Sequence, residues 1–567
     1  MRLLIARVFA RPALLLAVAT GFTTATIPLT ATAAGSSSQV VIHPVTDLGT
    51  ASLATNVSAS PAGARTSQNR GARQLPRLAQ AAAARLAQAP TASSSGASTA
   101  QSTSSGLGQL LANFNGVSSL DSQVTNFGAK FEPPDQGLCE GNGFVLEPVN
   151  SAYTIYHTNG APIAGPFNVN DLFHRGGLDF TSDPRCFYDT TTNTWFAIIL
   201  FIATNPDGSF GNSSALDISV NASGDPTTAW TTYHIDTTDA AAPAAAGCPC
   251  FGDQPRLGID AFNIYVSTDE FSINGPQFNG AQLYAFAKQD LVKLKNHIHF
   301  AHFANPTFNG TPLFAISPAI TTGAAGAEYF LDALDLNLDG STVNRIGVWA
   351  MTNQANVAQG QAPTLSSTII GSEGYSVPPN AMQKGSRSLL VTDDDRMQQV
   401  QFINGTIWGE LDTALSLPHD PILRTAAAWF KVSPSLAGGT LASAAMTGQG
   451  YLAVQDSFVL YPALQADAAG NAAMVFTLSA KDLFPSAAFA TMGRGQSNFS
   501  GVTVAGAGTG PYDPKATRWG DYSWAQLDPA NDTVWLATEY VPPVSSQTTT
   551  GQRNWGTEVM QVSLGGD

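Results

Sequence analysis

Charged side chains are scarce in this chain. Asp, Glu, Lys and Arg make up 12% of its 567 residues, against 52 Gly and 34 Pro. Helical bundles and coiled coils need long charged solvent faces, so this composition argues against both and for short strands joined by turns. Basic charge is scarcer still: 26 Lys and Arg face 41 Asp and Glu, a formal net charge of −15. Nucleic acid and anionic membrane surfaces call for a basic face and are not expected as partners; neutral ligands, cations and basic peptides remain. Past the N-terminus no apolar run approaches the roughly 20 residues of a membrane span. A Gly-x-Ser-x-Gly elbow, a His-Glu-x-x-His pair and a phosphate-cradling Gly-rich loop are all missing. Serine hydrolase, zinc protease and nucleotide-enzyme readings therefore lose their usual support.

What is present begins with an export signal. Arg2, Arg7 and Arg11 precede the apolar Ala13–Ala19 core, and Ala31-Thr32-Ala33 fits a small-x-small cleavage site, so residues 1–33 read as a signal peptide. The mature chain is expected outside the cytoplasm, in periplasm or medium, as a soluble monomer. Cys139, Cys186, Cys248 and Cys250 suit that compartment as disulfides. The favoured pairing sends Cys139 and Cys186 to the 248/250 segment; Cys139–Cys186 with a Cys248–Cys250 ring stays open.

Residues 34–113 are dominated by Ala, Ser, Thr, Gln and Gly and read as a low-complexity disordered linker, with a transient helix over Arg73–Gln88. Aromatic and β-branched residues then rise, and 114–567 reads as one all-β domain. Segments such as Tyr153–Tyr156, Trp195–Leu200, Asn263–Val266 and Ile346–Trp349 are strand-like, with turn residues between them. Short helical turns are expected at Lys288–Lys295 and Ala480–Phe484. An acidic turn followed by an aromatic strand recurs at Asp189, Asp260, Asp467 and Asp528. Its spacing gives a unit of about 65–70 residues, hence six or seven four-stranded blades with seven favoured: a β-propeller. The last strand, Glu558–Val562, is expected to close the ring by pairing with N-terminal chain. Two tandem β-sandwiches are the main competitor.

Pro133-Pro134-Asp135-Gln136-Gly137, Asp183-Pro184-Arg185-Cys186, Asp253-Gln254-Pro255-Arg256 and Arg518-Trp519-Gly520-Asp521-Tyr522…Glu539-Tyr540 resemble secreted bacterial β-propeller proteins of the sialidase-like superfamily. The resemblance covers about residues 125–562 and implies architecture, since most such proteins lack an assigned activity. Ser223–Trp230 has the Ser, Asp and Trp spacing of the sialidase Asp-box, which is a structural turn. Sialidase-like enzymes use an arginine cluster with a Tyr/Glu pair and an Asp, and Tyr522, Glu539 and Asp521 supply those residue types.

Propellers hold ligands at the channel mouth, where blade-entry loops meet. Arg185, Arg256, Arg518, Asp183 and Trp519 are the candidate ligand-binding residues, and Asp521, Glu539, Tyr522 and Asp253 the candidate catalytic ones. Arginines pair bidentately with carboxylated sugars, and glycosidases need two carboxyl groups of unlike pKa. These side chains would equally brace loops between blades. Asp335, Asn337 and Asp339 have the alternating oxygens and following Gly340 of a calcium loop, so structural Ca²⁺ is the one cofactor considered. Asp393–Asp395 reads as a solvated turn, and His297, His299 and His302 as surface or packing histidines rather than metal ligands. The functional expectation is binding of a glycan or protein at the channel mouth; the alternative is a glycoside hydrolase or polysaccharide lyase acting on acidic sugars.

Overall fold

A computed structural model describes residues 39–53, 107–238, 247–323, 325–336, 338–512, 518–528, 530–543 and 553–565. The signal segment 1–33, the helical stretch Arg73–Gln88 and Asn337 lie outside the described residues. Thr194–Thr204 shows why the chain is β throughout. Its Trp, Phe, Ile and Leu residues are apolar on both strand faces and nearly all buried. A strand of that kind is stable only with a sheet packed on each side.

Among the described residues, the strands group into seven four-stranded antiparallel units. Their first strands are β1 (Cys139–Gly141), β2 (Phe180–Asp189), β3 (Cys250–Ile259), β4 (Ser317–Thr322), β5 (Met397–Ile403), β6 (Phe458–Ala466) and β7 (Trp524–Asp528). Each starts a meander: β2 pairs with Thr194–Thr204, that strand with Phe210–Asn221, and that with Thr231–Asp236. Four units are separate sheets. The other three join in one fourteen-stranded sheet through short parallel pairings of β3 with β4 and β4 with β5. The first strands touch in cyclic order, β1 to β2 and onward to β7, which returns to β1. One core cluster shows the face-to-face packing, joining Val145, Phe196, Val266 and Trp535 from four units.

The last unit takes its fourth strand from the start of the chain. Leu110–Ser118 pairs antiparallel with Gly556–Ser563 and becomes the outer strand of that sheet, covering the edge that Gly556–Ser563 would otherwise present. The four acidic anchors occupy one structural position, the hairpin after the first strand. There Asp189, Asp260, Asp467 and Asp528 accept backbone N–H groups of the turn at 2.7–3.0 Å, as short carboxylates do in turns.

Several expectations change. Within the expected linker, Val41–His43 and Asp47–Ser52 are strands that extend two units of the fourteen-stranded sheet by pairing with Thr364–Tyr375 and His297–Ala304, and Leu110 already belongs to a strand. Backbone pairing to an open edge orders even a weakly apolar segment. Lys288–Val292 is helical, but Ala480–Phe484 is the hairpin between Ala472–Ala480 and Leu483–Met492. The disulfides are Cys139–Cys186 and Cys248–Cys250, replacing the favoured crossed pairing. Adjacent first strands set Cys139 and Cys186 at Cα–Cα 5.6 Å, and Cys248 and Cys250 lie 4.5 Å apart, both within bridging range.

Candidate functional site

The entry ends of the first strands share a local distortion. Asp135, Asp183, Gln254, Ala315, Asp393 and Tyr461, one in each of six units, have φ between 45° and 61°. Register shifts accompany it at Ser182/Arg185, Asp253/Arg256 and Leu460/Ala463, where Pro184, Pro255 and Pro462 remove a ladder N–H. Left-handed non-glycine residues cost energy and collect where structure re-aims side chains. The polar side chains of units 1, 2, 3, 5 and 7 meet at this end.

Carboxylate oxygens of Asp135, Asp183 and Asp521 lie within 4.8 Å of one another, and all three residues are buried. Arg518 Nη2 donates to both oxygens of Asp521 at 2.6 Å. The Arg185 guanidinium sits 3.0 Å over the Tyr522 ring and 5.1 Å from the Trp524 ring. Tyr522 OH donates to Asp183 Oδ1 at 3.1 Å. Arg185 is 5% exposed, and its Nε and Nη1 have no hydrogen-bond partner.

Amide side chains hold the group in place. Asn150 Nδ2 donates to Asp135 Oδ2 at 2.7 Å, while its Oδ1 accepts the Asp183 N–H at 2.7 Å and the Ser182 hydroxyl at 3.3 Å. Gln136 Nε2 donates to Glu539 Oε2 at 2.9 Å and to the Tyr522 carbonyl at 3.1 Å. Gln254 Nε2 donates to Asp521 Oδ2 at 3.3 Å, and its Oε1 accepts from Arg256 Nη2 at 3.0 Å and from Arg396 Nη1. Arg256 pairs with Asp269 at 3.1 Å and Arg396 with Asp394.

Burial divides the protonation behaviour. It pushes the Asp183 carboxyl up, with Asp521 adding repulsion and Arg185, Arg518 and Tyr522 opposing. Glu539, fully buried, is raised to about 8 mainly by burial. Tyr522 is pushed well above its ordinary value, and burial lowers Arg185. Glu539 lies under Gly520, where a Cβ would fall 1.5 Å from its Oε1. The arrangement therefore sets three carboxyl groups and open guanidinium donors around one point, with a carboxyl raised by burial beneath them, enough to bind hydroxyls and acidic groups.

The expected site residues divide accordingly. Arg185, Asp183, Asp521, Tyr522 and Arg518 come together, with Glu539 beneath and Arg256 joined through Gln254. Asp253 is buried in β3 opposite Asp269, outside the three-carboxylate group. Trp519 is fully buried, stacked edge-on to Tyr512 at 4.8 Å and bonded to Thr477, so its indole packs the core. Asp335 is buried and accepts from Leu338 N, and Asp339 is exposed and accepts from Ser341 N. His299 pairs with Asp290 at 2.7 Å and His302 with Gln282 at 2.8 Å. Asp225 and Trp230 stabilise the turn within the Asp-box-like segment. Asp394 and Asp395 are fully buried rather than solvated.

Asp135, Gln136, Asn150, Gln254 and Arg396 escaped selection from the sequence. The signal for four of them was present: Asp135-Gln136, Asp253-Gln254 and Asp395-Arg396 all stand just before or within a first strand, like Asp183-Pro184-Arg185. Asn150 belongs to an inner loop and carries no such mark.

No protein family and no curated protein matches the sequence. Among solved structures, the parainfluenza virus 5 hemagglutinin-neuraminidase ectodomain is similar at 11% identity over 68% of this chain and 81% of its own, with TM-score 0.33. A PL25 ulvan lyase is similar at 11% identity over 81% of this chain and 96% of its own, TM-score 0.31. The α-L-arabinanase of Penicillium chrysogenum is similar at 11% identity over 67% and 92%, TM-score 0.28. At these scores the likenesses carry no argument about activity.

Proposed function

We propose that this chain is an exported seven-bladed β-propeller that binds a glycan at the entry ends of β1, β2, β3, β5 and β7. The observation supporting this reading is the convergence of Asp135, Asp183 and Asp521 with the open N–H groups of Arg185. Carboxylates accept from sugar hydroxyls, and a guanidinium pairs with a uronate or sialate carboxylate. Recessed groups suit the end or side of a sugar chain better than a flat protein surface, which favours a glycan over a protein ligand.

A second reading is catalytic. Asp183, raised by burial, stands beside Asp521, which Arg518 pairs, and two carboxyl groups in unlike environments are what glycoside hydrolysis requires. The purified protein is to be titrated with acidic and neutral polysaccharides, and the mixtures assayed for new reducing ends and unsaturated products. Saturable binding to an acidic polymer, weakened at least tenfold by Arg185→Ala, supports the binding site. Product formation lost in both Asp183→Asn and Asp521→Asn supports the enzyme. If no polymer is retained and none is cleaved, the glycan reading fails.

A further inference from the structure

The opposite ends of the first strands enclose a cavity of about 650 Å³, lined by residues of β1, β2, β3, β4, β6 and β7 and of the turns after them. It lies away from the glycan group, because the first strands begin at that group and end here. Its volume falls within the range typical of small-molecule sites.

Its lining is acidic: Glu140, Asp189, Asp260 and Asp528 face a single cation, Lys288. Lys288 Nζ is already engaged, 2.9 Å from Asp189 Oδ2 and 2.5 Å from the Asp260 carbonyl. Asp260 accepts from Tyr265 OH and two backbone N–H groups, and Asp528 from Ala530 N and Asn531 Nδ2. No hydrogen bond reaches the Glu140 carboxyl among the described residues, and Gln465, 1% exposed and on the cavity wall, has an unpartnered Oε1. Burial and the nearby Asp528 raise Glu140 to about 8, as expected of a carboxyl lacking a counter-charge.

We infer that this cavity is a second binding site, selective for a small linear polyamine whose ammonium groups pair with Glu140 and Asp528 and donate to Gln465. A metal ion fits less well. Among the described residues no three of these carboxylates bring oxygens within 4.8 Å, whereas Asp135, Asp183 and Asp521 at the other end do. Dispersed acceptors suit an extended cation with several donors.

The test is calorimetric titration of the full chain with spermidine, and separately with calcium chloride, at about 0.15 M salt to screen surface attraction. The expected result is one saturable spermidine site weakened at least tenfold by Glu140→Gln. Thr322→Lys, half-buried on the cavity wall, places a resident ammonium there and is expected to abolish binding even if the first variant folds poorly. Spermidine binding unchanged in the variants, no saturable binding at millimolar ligand, or a calcium site in place of an amine site would each overturn the assignment.

Discussion

At the scale of single residues, the entry-end group is built from side chains that would be costly to bury alone. Glu539 illustrates how the chain accommodates one: it stays protonated, accepts a hydrogen bond from Gln136 and fits only because residue 520 lacks a side chain. Its folded value of about 8 lies above the ordinary 4.5. The folded chain thus keeps a proton there that the unfolded chain releases, so the stabilising contribution is complete below the unfolded value and fades as pH rises towards about 8. Glu539→Gln mimics the protonated form. It should melt with the parent protein at pH about 5 and be more stable at pH about 9, by an amount on the order of a few kcal/mol. Thermal midpoints at both pH values check this; a variant less stable than the parent at the higher pH would show that Glu539 is ionised in the folded chain. Gly520→Ala should destabilise by about 1–3 kcal/mol through overpacking, read from the denaturation midpoint.

At the scale of elements, two devices join distant parts of the chain. Leu110–Ser118 completes the last unit by pairing with Gly556–Ser563. A chain beginning at residue 119 should expose that strand's edge and elute as aggregates with a lowered thermal midpoint; an unchanged monomer peak and midpoint would remove the closure from the stability argument. The two disulfides should differ sharply. Cys139–Cys186 spans a sequence separation of 47, whereas Cys248–Cys250 spans 2. Replacing the first pair by alanine should cost about 2–4 kcal/mol, because the bridge restricts a long loop of the unfolded chain. Replacing the second should cost markedly less in the same unfolding titration.

Strand content and the repeat were readable at this scale because both arise locally. An Asp that caps its own hairpin and an aromatic run that follows it are features of a dozen residues, so Asp189, Asp260, Asp467 and Asp528 could be aligned without coordinates. The disulfide pairing and the strands at Val41–His43 and Asp47–Ser52 were not readable, since each depends on which remote strand lies alongside. The site was half readable. Arg185 and Asp521 stand in conspicuous entry motifs, while Trp519, equally conspicuous, turned inward to the core.

At the scale of the whole molecule, buried carboxyls set the response to pH. Burial raises Glu140 and Glu539 to about 8 and Glu147 and Glu558 to about 7. Each binds a proton in the folded chain that the unfolded chain has lost above its ordinary value of 4.5. Stability should therefore decline as pH rises from about 4.5 to 8, and burial, which also raises Glu328, Asp332, Asp395, Glu410 and Asp412 well above their ordinary values, acts in the same direction. Calorimetric scans across that interval check it, and a thermal midpoint that climbs with pH would contradict the protonation assigned to these groups.

The sequence by itself determined strand-rich chemistry, the recurring acidic turn and the poverty of basic surface, because composition and short-range spacing act before any long-range contact forms. Only the tertiary structure decided that β7 returns to β1, that Asp135, Asp183 and Asp521 share one point, and that Glu140 and Gln465 face a cavity at the other end. Those neighbours are separated by tens to hundreds of residues along the chain, and it is the cyclic packing of the sheets that brings them together.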